Sequence, residues 1–181
     1  LAVGGHLKNT ITFLSQGKAF LSQHLGDMYH ELSYKACDEA VQSLNSIYQK
    51  DFKIAACDLH PDYLSTRLAE QTKRPIIKVQ HHHAHIVSCM AEHKIDGDVL
   101  GMAWDGTGYG LDGSIWGGEF LKASLSEFVR VAALKTFHLP GGDQAMVEPR
   151  RSALALLAEV SQEPFKEFFD LPSIRAFAPY E

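Results

Sequence analysis

Four histidines fall within five positions, His81, His82, His83 and His85, in the stretch from Val79 to Gly110. Neutral imidazole ligates zinc, iron and nickel through a ring nitrogen. Packing is a poor explanation for such a cluster, because a buried imidazole needs a partner and an exposed one gains nothing from company. His81 and His85 stand four apart, and at the start of a helix such positions share a face. Both are expected to reach one ion. A second spacing of four runs down the same helix through His85, Cys89 and His93. There Cys89 reads more simply as a small core residue and His93 as a favourable charge at a helix C-terminus, so the first pair is preferred. An apolar strand then delivers Asp105, which is a third metal ligand, the holder of a nucleotide's magnesium, or a simple turn former before Gly. Gly106, Thr107, Gly108 and Gly110 follow, and glycines let backbone N–H groups approach an anion closely. A plain glycine-rich hairpin turn would look the same. The run is neither a dinucleotide fingerprint nor a Gly-Lys-Ser/Thr phosphate loop, and the chain has no GxSxG nucleophile.

Further residues are candidates for chemistry. Lys8, in an early glycine turn, could meet a phosphate or carbonyl oxygen, or be a solvated loop lysine. Asp58 and His60, with Asp62, form a polar knot at a strand's C-terminal end; they are catalytic, supporting, or only a loop leading into a helix. Asp112 and Glu119 flank a second hairpin without a clear role. Glu148-Pro149-Arg150-Arg151 reads as a helix start with a charge pair.

These residues must be positioned by strands and helices in alternation. Strands are expected at Leu1–Gly4, Thr10–Ser15, Ala19–Gln23, Ile54–Cys57, Pro75–Val79, Asp98–Trp104, Ser114–Ala123 and Phe128–Phe137. Helices are expected at Tyr29–Gln49, at Ser65–Gln71 with a cap from Ser65 or a neighbour, at His82–His93, and from Pro149 to Val160. In the first of these, Leu32, Ala36, Ala40, Val41, Leu44 and Tyr48 form the apolar face. A β-turn-β-β-α unit beginning at Leu1 has a similar counterpart beginning at Val99. That duplication suggests an α/β protein of the actin-like ATPase, ribonuclease-H-like fold: a mixed sheet flanked by helices, with two glycine turns facing a common cleft. An ordinary doubly wound sheet is the rival. The subdomains are expected at residues 1–97 and 98–181.

The chain has 181 residues, 45% apolar and 22% charged, with a net charge of −5. That composition suits a globular core and argues against a nucleic-acid grip. No apolar run reaches about 18 residues, so no membrane span is expected. Three widely spaced cysteines fit a reducing cytoplasm better than a disulfide framework. The absence of an initiator Met suggests a chain excised from something longer.

The segments GGHLKNT, SQHLGD, CDLHPDYLSTRLA, VQHHHAHIVSCMAEH, DGTGYGLDGSIWGGEF and LPGGDQAMVEPRRSALAL occur in this order. Together they resemble the HypF family, carbamoyltransferases of nickel–iron hydrogenase maturation, from Leu1 to about Val160. The resemblance implies the first part of a C-terminal, threonylcarbamoyltransferase-like domain with the actin-like fold, its second half incomplete. It implies that carbamoyl phosphate and ATP are converted elsewhere in the protein to carbamoyl-adenylate. The carbamoyl group then passes to the C-terminal cysteine of HypE and supplies the cyanide ligands of the hydrogenase iron. By motif, His81, His85 and Asp105 match the metal ligands, for zinc or iron, and Gly106, Gly108 and Gly110 the phosphate side. A further aspartate ligand and glycine motif are expected beyond Glu181, so this piece alone is expected to bind metal loosely and transfer nothing. Two other readings stand beside this one. They are a metal- or nucleotide-binding scaffold without turnover, and an enzyme carbamoylating a small hydroxyl compound.

Overall fold

β-Branched and aromatic residues favour pleated, half-buried strands, and the first such run forms a hairpin. β1 (Thr12–Ser15) and β2 (Lys18–Leu21) pair antiparallel, with Phe13 opposite Phe20. Gln16 and Gly17 between them both have positive φ, 51° and 72°. That combination matches the right-handed twist of the flanking strands. The computed structural model describes residues 1–48, 51–168 and 170–177. Within it Leu1–Gly4 forms only bridges, but they are structurally decisive. Ala2 pairs antiparallel with Thr12 and parallel with Ala56. The amino-terminal segment therefore joins the hairpin to β3 (Ala55–Asp58), which pairs parallel with β4 (Ile76–Val79). The order across this mixed sheet is β2, β1, the Ala2 segment, β3, β4.

α1 (Glu31–Tyr48) and α2 (Leu64–Gln71) supply the helices. Val3, Ile11, Met28, Cys37, Val41, Ala55 and Leu68 are buried together in one core. Leu32, expected on the buried face of α1, is 79% exposed, because it lies in the first turn, ahead of the buried residues Cys37, Ala40 and Val41. Gln49, the expected end of α1, lies outside the described residues. α2 begins after Tyr63 with no side-chain cap, not at a Ser65 cap. Ser65 is fully buried.

The second core lies between α3 (His81–Glu92) and a three-stranded antiparallel sheet, β5 (Val99–Tyr109), β6 (Ile115–Ala123) and β7 (Phe128–Ala133). Ile86, Met90, Ala103, Trp116 and Leu121 fill it. At Gly101 a Cβ would meet Ile86 Cδ1 at 2.5 Å, so the missing side chain lets helix and strand close. The opposite face of β5 carries Leu100, Met102 and Trp104, all exposed. β5 corrects the expected layout: it does not stop at Trp104 but continues through Asp105 to Tyr109. Its register with β6 breaks between Trp104 and Gly108, where only Gly117 stands opposite Asp105, Gly106 and Thr107. Such bulges bend a strand and re-aim its side chains. The actual turn is Gly110–Ser114, with Gly113 at φ 76°. β7 ends at Ala133, short of Phe137.

Contacts group Leu1–Ala133 as one compact unit and Leu134–Glu181 as another. In the latter, α4 (Gln144–Val147) precedes α5 (Pro149–Val160), whose first turn holds Pro149 as expected. Glu148 pairs with Arg150 at 2.7 Å and with Arg151 at 3.3 Å. α6 (Pro164–Glu167) and α7 (Pro172–Arg175) are single turns. Among the described residues no helix is long and apolar enough to cross a membrane.

Candidate metal centre

α3 starts where the histidines start because Gln80 caps it. Gln80 Oε1 accepts the backbone N–H of His83 at 2.8 Å, satisfying one of the orphan donors of a helix start. The Gln80 side-chain amide also reaches His82 Nδ1 at 3.1 Å and donates to the Tyr109 carbonyl at 3.3 Å. One side chain thus ties the helix start to the far end of β5. Glutamine is not among the preferred caps, so sequence reasoning missed it.

The four histidines then divide by helical phase. His82 and His83 turn inward and are buried. His82 is fully buried and burial pushes its pKa down; the His83 ring nitrogen Nε2 meets the Ser124 carbonyl at 2.9 Å. These two are packing residues after all. His81 and His85 turn outward, with their Nε2 atoms 3.2 Å apart. Asp105 Oδ2 lies 2.9 Å from His81 Nε2 and 3.4 Å from His85 Nε2. The bulge in β5 presents Asp105 to α3. One ligand atom from each of the three lies within 4.8 Å of the others.

The electrostatics match the geometry. Hydrogen bonds to Asp105 and then to Asp58 raise the His81 pKa to about 9, against the opposing effect of burial. His81, then His85, holds the Asp105 carboxyl well below the usual carboxylate range. Two imidazole nitrogens and a carboxylate oxygen aimed at one point fit a divalent transition metal, zinc and iron being equally suited to these donors.

Around this centre the other expected residues take distinct places. Asp58, at the C-terminal end of β3, lies 2.6 Å from His81 Nδ1 through Oδ2. Its Oδ1 accepts the His60 backbone N–H at 2.8 Å. His60 Nδ1 accepts the Asp62 N–H at 3.1 Å, and its ring stacks on Tyr63 with centroids 4.0 Å apart. Tyr109 meets the same ring edge-on at 5.2 Å. His6, buried, stacks on the other residue of this group, Tyr63, at 4.9 Å, and burial then lowers its pKa. The early glycine turn adjoins the site: a Cβ on Gly5 would lie 3.8 Å from His81 Cε1. Asn9, buried, holds that turn by donating to the carbonyls of Val3 and Gly5. Lys8 has φ 50° and is exposed. Its backbone N–H donates to Asp27, and among the described residues its amino group makes no hydrogen bond or ion pair.

The glycines separate. Gly106 has open space where a Cβ would be, whereas a Cβ on Gly108 would meet His82 Cε1 at 2.6 Å and one on Gly110 Trp116 Nε1 at 2.2 Å. Thr107 is half-buried within the bulge. Asp112 and Glu119 are structural. Asp112 accepts from Ser114 and the Trp116 indole, and buried Glu119 accepts two hydrogen bonds from Arg130. Cys89 is exposed rather than in the core, and with His85 and Asp105 it lines a largely apolar groove of about 680 Å³. His93 is the C-cap of α3.

Residues 1–92 match the HypF Kae1-like domain, and residues 101–175 match the second subdomain of the carbamoyltransferase Kae1-like domain. The chain is 50% identical over 158 residues to "Carbamoyltransferase HypF" of Synechocystis sp., covering 87% of this chain and 21% of that protein. A crystal structure of full-length HypF in a phosphate- and nucleotide-bound form superposes with a TM-score of 0.87 at 42% identity, over 93% of this chain and 22% of that one. That of T. kodakarensis HypF gives 0.80 at 36% identity, over 88% and 22%. The chain thus spans about a fifth of the length of these relatives. With both family matches and these relatives in register along most of its length, the chain belongs to the HypF Kae1-like domain family.

Proposed function

We propose that this chain is the metal-bearing part of a HypF-type carbamoyltransferase acting in nickel–iron hydrogenase maturation. The observation that carries the reading is the convergence of His81, His85 and Asp105 within 4.8 Å. It occurs in a chain half identical to a protein named carbamoyltransferase HypF. On this reading the donor is carbamoyl-adenylate, formed from carbamoyl phosphate and ATP elsewhere in the longer protein. The acceptor is the C-terminal cysteine thiolate of HypE. The thiolate sulfur bonds to the carbamoyl carbon, the bond from that carbon to the adenylate phosphate oxygen breaks, and AMP leaves with the electron pair.

His81, His85 and Asp105 would hold the zinc or iron ion. When bound, such an ion supplies Lewis-acid polarisation of a carbonyl or phosphoryl oxygen. The chain's own residues bind and orient the donor. Gly106, open on its side-chain face, lets an anion approach the bulge backbone beside Thr107; Gly108 lets the strand close on His82, and Gly110 lets the following turn close on Trp116. Lys8, on the turn adjoining His81, offers its amino group to a phosphate oxygen. His60, held by Tyr63, can carry a proton at Nε2.

The same reading keeps the actin-like ATPase fold, supported by the mixed sheet order, and the subdomain boundary near Asp98. Magnesium with the nucleotide and a cytoplasmic setting belong to it as well; the three unpaired cysteines support the setting. The test uses the full-length enzyme carrying His81→Ala and His85→Ala, given carbamoyl-adenylate and the HypE tail peptide. Thiocarbamate formation is expected to collapse, and an unchanged rate would refute a catalytic role for the pair.

A further inference from the structure

Only one of the two ring nitrogens of His81 can face an ion, and its place in the chain does not say which. We infer that Asp58 is a positioning residue of the metal centre, whose carboxylate keeps a proton on His81 Nδ1 and so commits Nε2 to the ion. The inference rests on the metal reading above and reassigns Asp58 from catalysis to support.

An ionised carboxylate only accepts hydrogen bonds. At 2.6 Å, Asp58 Oδ2 is therefore a partner for a protonated Nδ1. The opposite nitrogen of the same ring points at Asp105 Oδ2 and at His85 Nε2, at 2.9 and 3.2 Å. Asp58 itself is not among the converging donors, which are His81, His85 and Asp105. Nor can it swing toward them easily. It is buried, and its other oxygen accepts the His60 N–H at 2.8 Å. The His60 carbonyl in turn accepts the Thr66 hydroxyl at 2.8 Å. The Asp58 backbone is fixed by pairing with Val79, and Leu59 N–H donates to the Val79 carbonyl at 2.9 Å. β4 then passes through Gln80 directly into His81. Two adjacent parallel strands thus deliver the carboxylate and the imidazole side by side. Among the described residues no carboxylate holds Nδ1 of His85, so His81 is the fixed ligand and His85 the adjustable one. Carboxylate partners of this kind set the orientation of metal-ligating histidines.

Asp58→Asn isolates the role. Asparagine keeps an oxygen for the His60 N–H and replaces Oδ2 with an N–H donor. That donor is best met by an unprotonated Nδ1, which moves the proton to Nε2, where it competes with metal. Zinc affinity of the full 181-residue chain, read by chelator competition, is expected to fall about 10–100-fold. Nitrogen-15 NMR of the zinc-saturated parent is expected to show His81 with Nδ1 protonated and Nε2 bound, a pattern lost in the variant. Unchanged affinity overturns the inference. Weaker binding with an unchanged ring pattern also overturns it, because the loss is then one of charge alone. If circular dichroism shows the variant unfolded, the parent spectrum decides, and an unprotonated Nδ1 in the zinc-bound parent overturns the inference. A parent that binds neither zinc nor iron refutes the metal reading instead. Positioning is then read from the hydrogen-bonded Nδ1 proton of the metal-free parent, whose absence counts against it.

Discussion

Gly106 and Gly108 stand two residues apart in one bulge and answer different demands. Gly108 gives way to His82, and a methyl there must displace a fully buried ring and crowd His81 Cβ at 3.0 Å. Gly108→Ala is expected to cost about 1–3 kcal/mol of stability. It should also weaken zinc binding. Gly106→Ala meets nothing within 4 Å and has no positive φ to strain. Its melting temperature should stay near the parent's while nucleotide affinity falls; unchanged affinity removes Gly106 from the anion site. The titrating pair gives a second residue-scale expectation. The folded chain raises His81 from 6.5 to about 9, so this contribution is complete below about pH 6.5 and is lost as pH rises through 9. Asp105 is shifted down, so its share is present above about pH 4 and is lost as acid reaches its lowered pKa. The two shifts share the His81–Asp105 contact and are not additive; that contact is worth on the order of 2 kcal/mol after solvent screening. Thermal melts in chelator should therefore fall between pH 6.5 and 9, and His81→Ala should flatten that slope. With zinc present the slope should oppose this, because protons and metal compete for Nε2.

At the scale of elements, helix α3 shows what a sequence can and cannot disclose. The spacing of His81 and His85 disclosed a shared face, and the apolar run after it disclosed a strand carrying Asp105. Position along a helix is a local property, and periodicity reports it. The inward turn of His82 and His83 was not legible, because their neighbours, Trp116 and Ser124 among them, come from β6 and just after it, far along the chain. Nor was the bulge, since Gly106 and Gly108 within a strand look like a turn until His82 is seen filling the space above Gly108. The mixed sheet was foreseen in its strands, but the amino-terminal one survives only as bridges through Ala2. Gln80 concentrates these unread long-range ties. Gln80→Ala removes the cap and leaves polar atoms of His82 and Tyr109 without that partner. A loss of about 1–3 kcal/mol is expected in chemical denaturation. Zinc affinity should fall with it, because the first turn carries His81. A variant as stable as the parent would show that the cap is dispensable.

For the whole molecule, the ligands tie α3 to β5, and Asp58 extends the tie to β3. A metal that binds only the folded chain stabilises it by mass action, about 2.7 kcal/mol at a hundredfold excess over Kd. Zinc should raise the melting temperature of the chain and of Gly106→Ala alike. It should leave His81→Ala/His85→Ala unmoved, and an equal rise in that variant would place the zinc elsewhere. The Asp58–His81 contact has a consequence for kinetics as well. Its partners are 23 residues apart, joined by one strand–helix–strand crossover, and the remaining donors, His85 and Asp105, follow on α3 and β5. Closing so short a loop costs little chain entropy. Contacts of low sequence separation also tend to form before distant pairings. The coordination sphere can then be assembled at the rate-limiting barrier to folding rather than after it. Zinc present during refolding should speed the return of structure in stopped-flow traces, while zinc that only slows unfolding would mean the centre closes last.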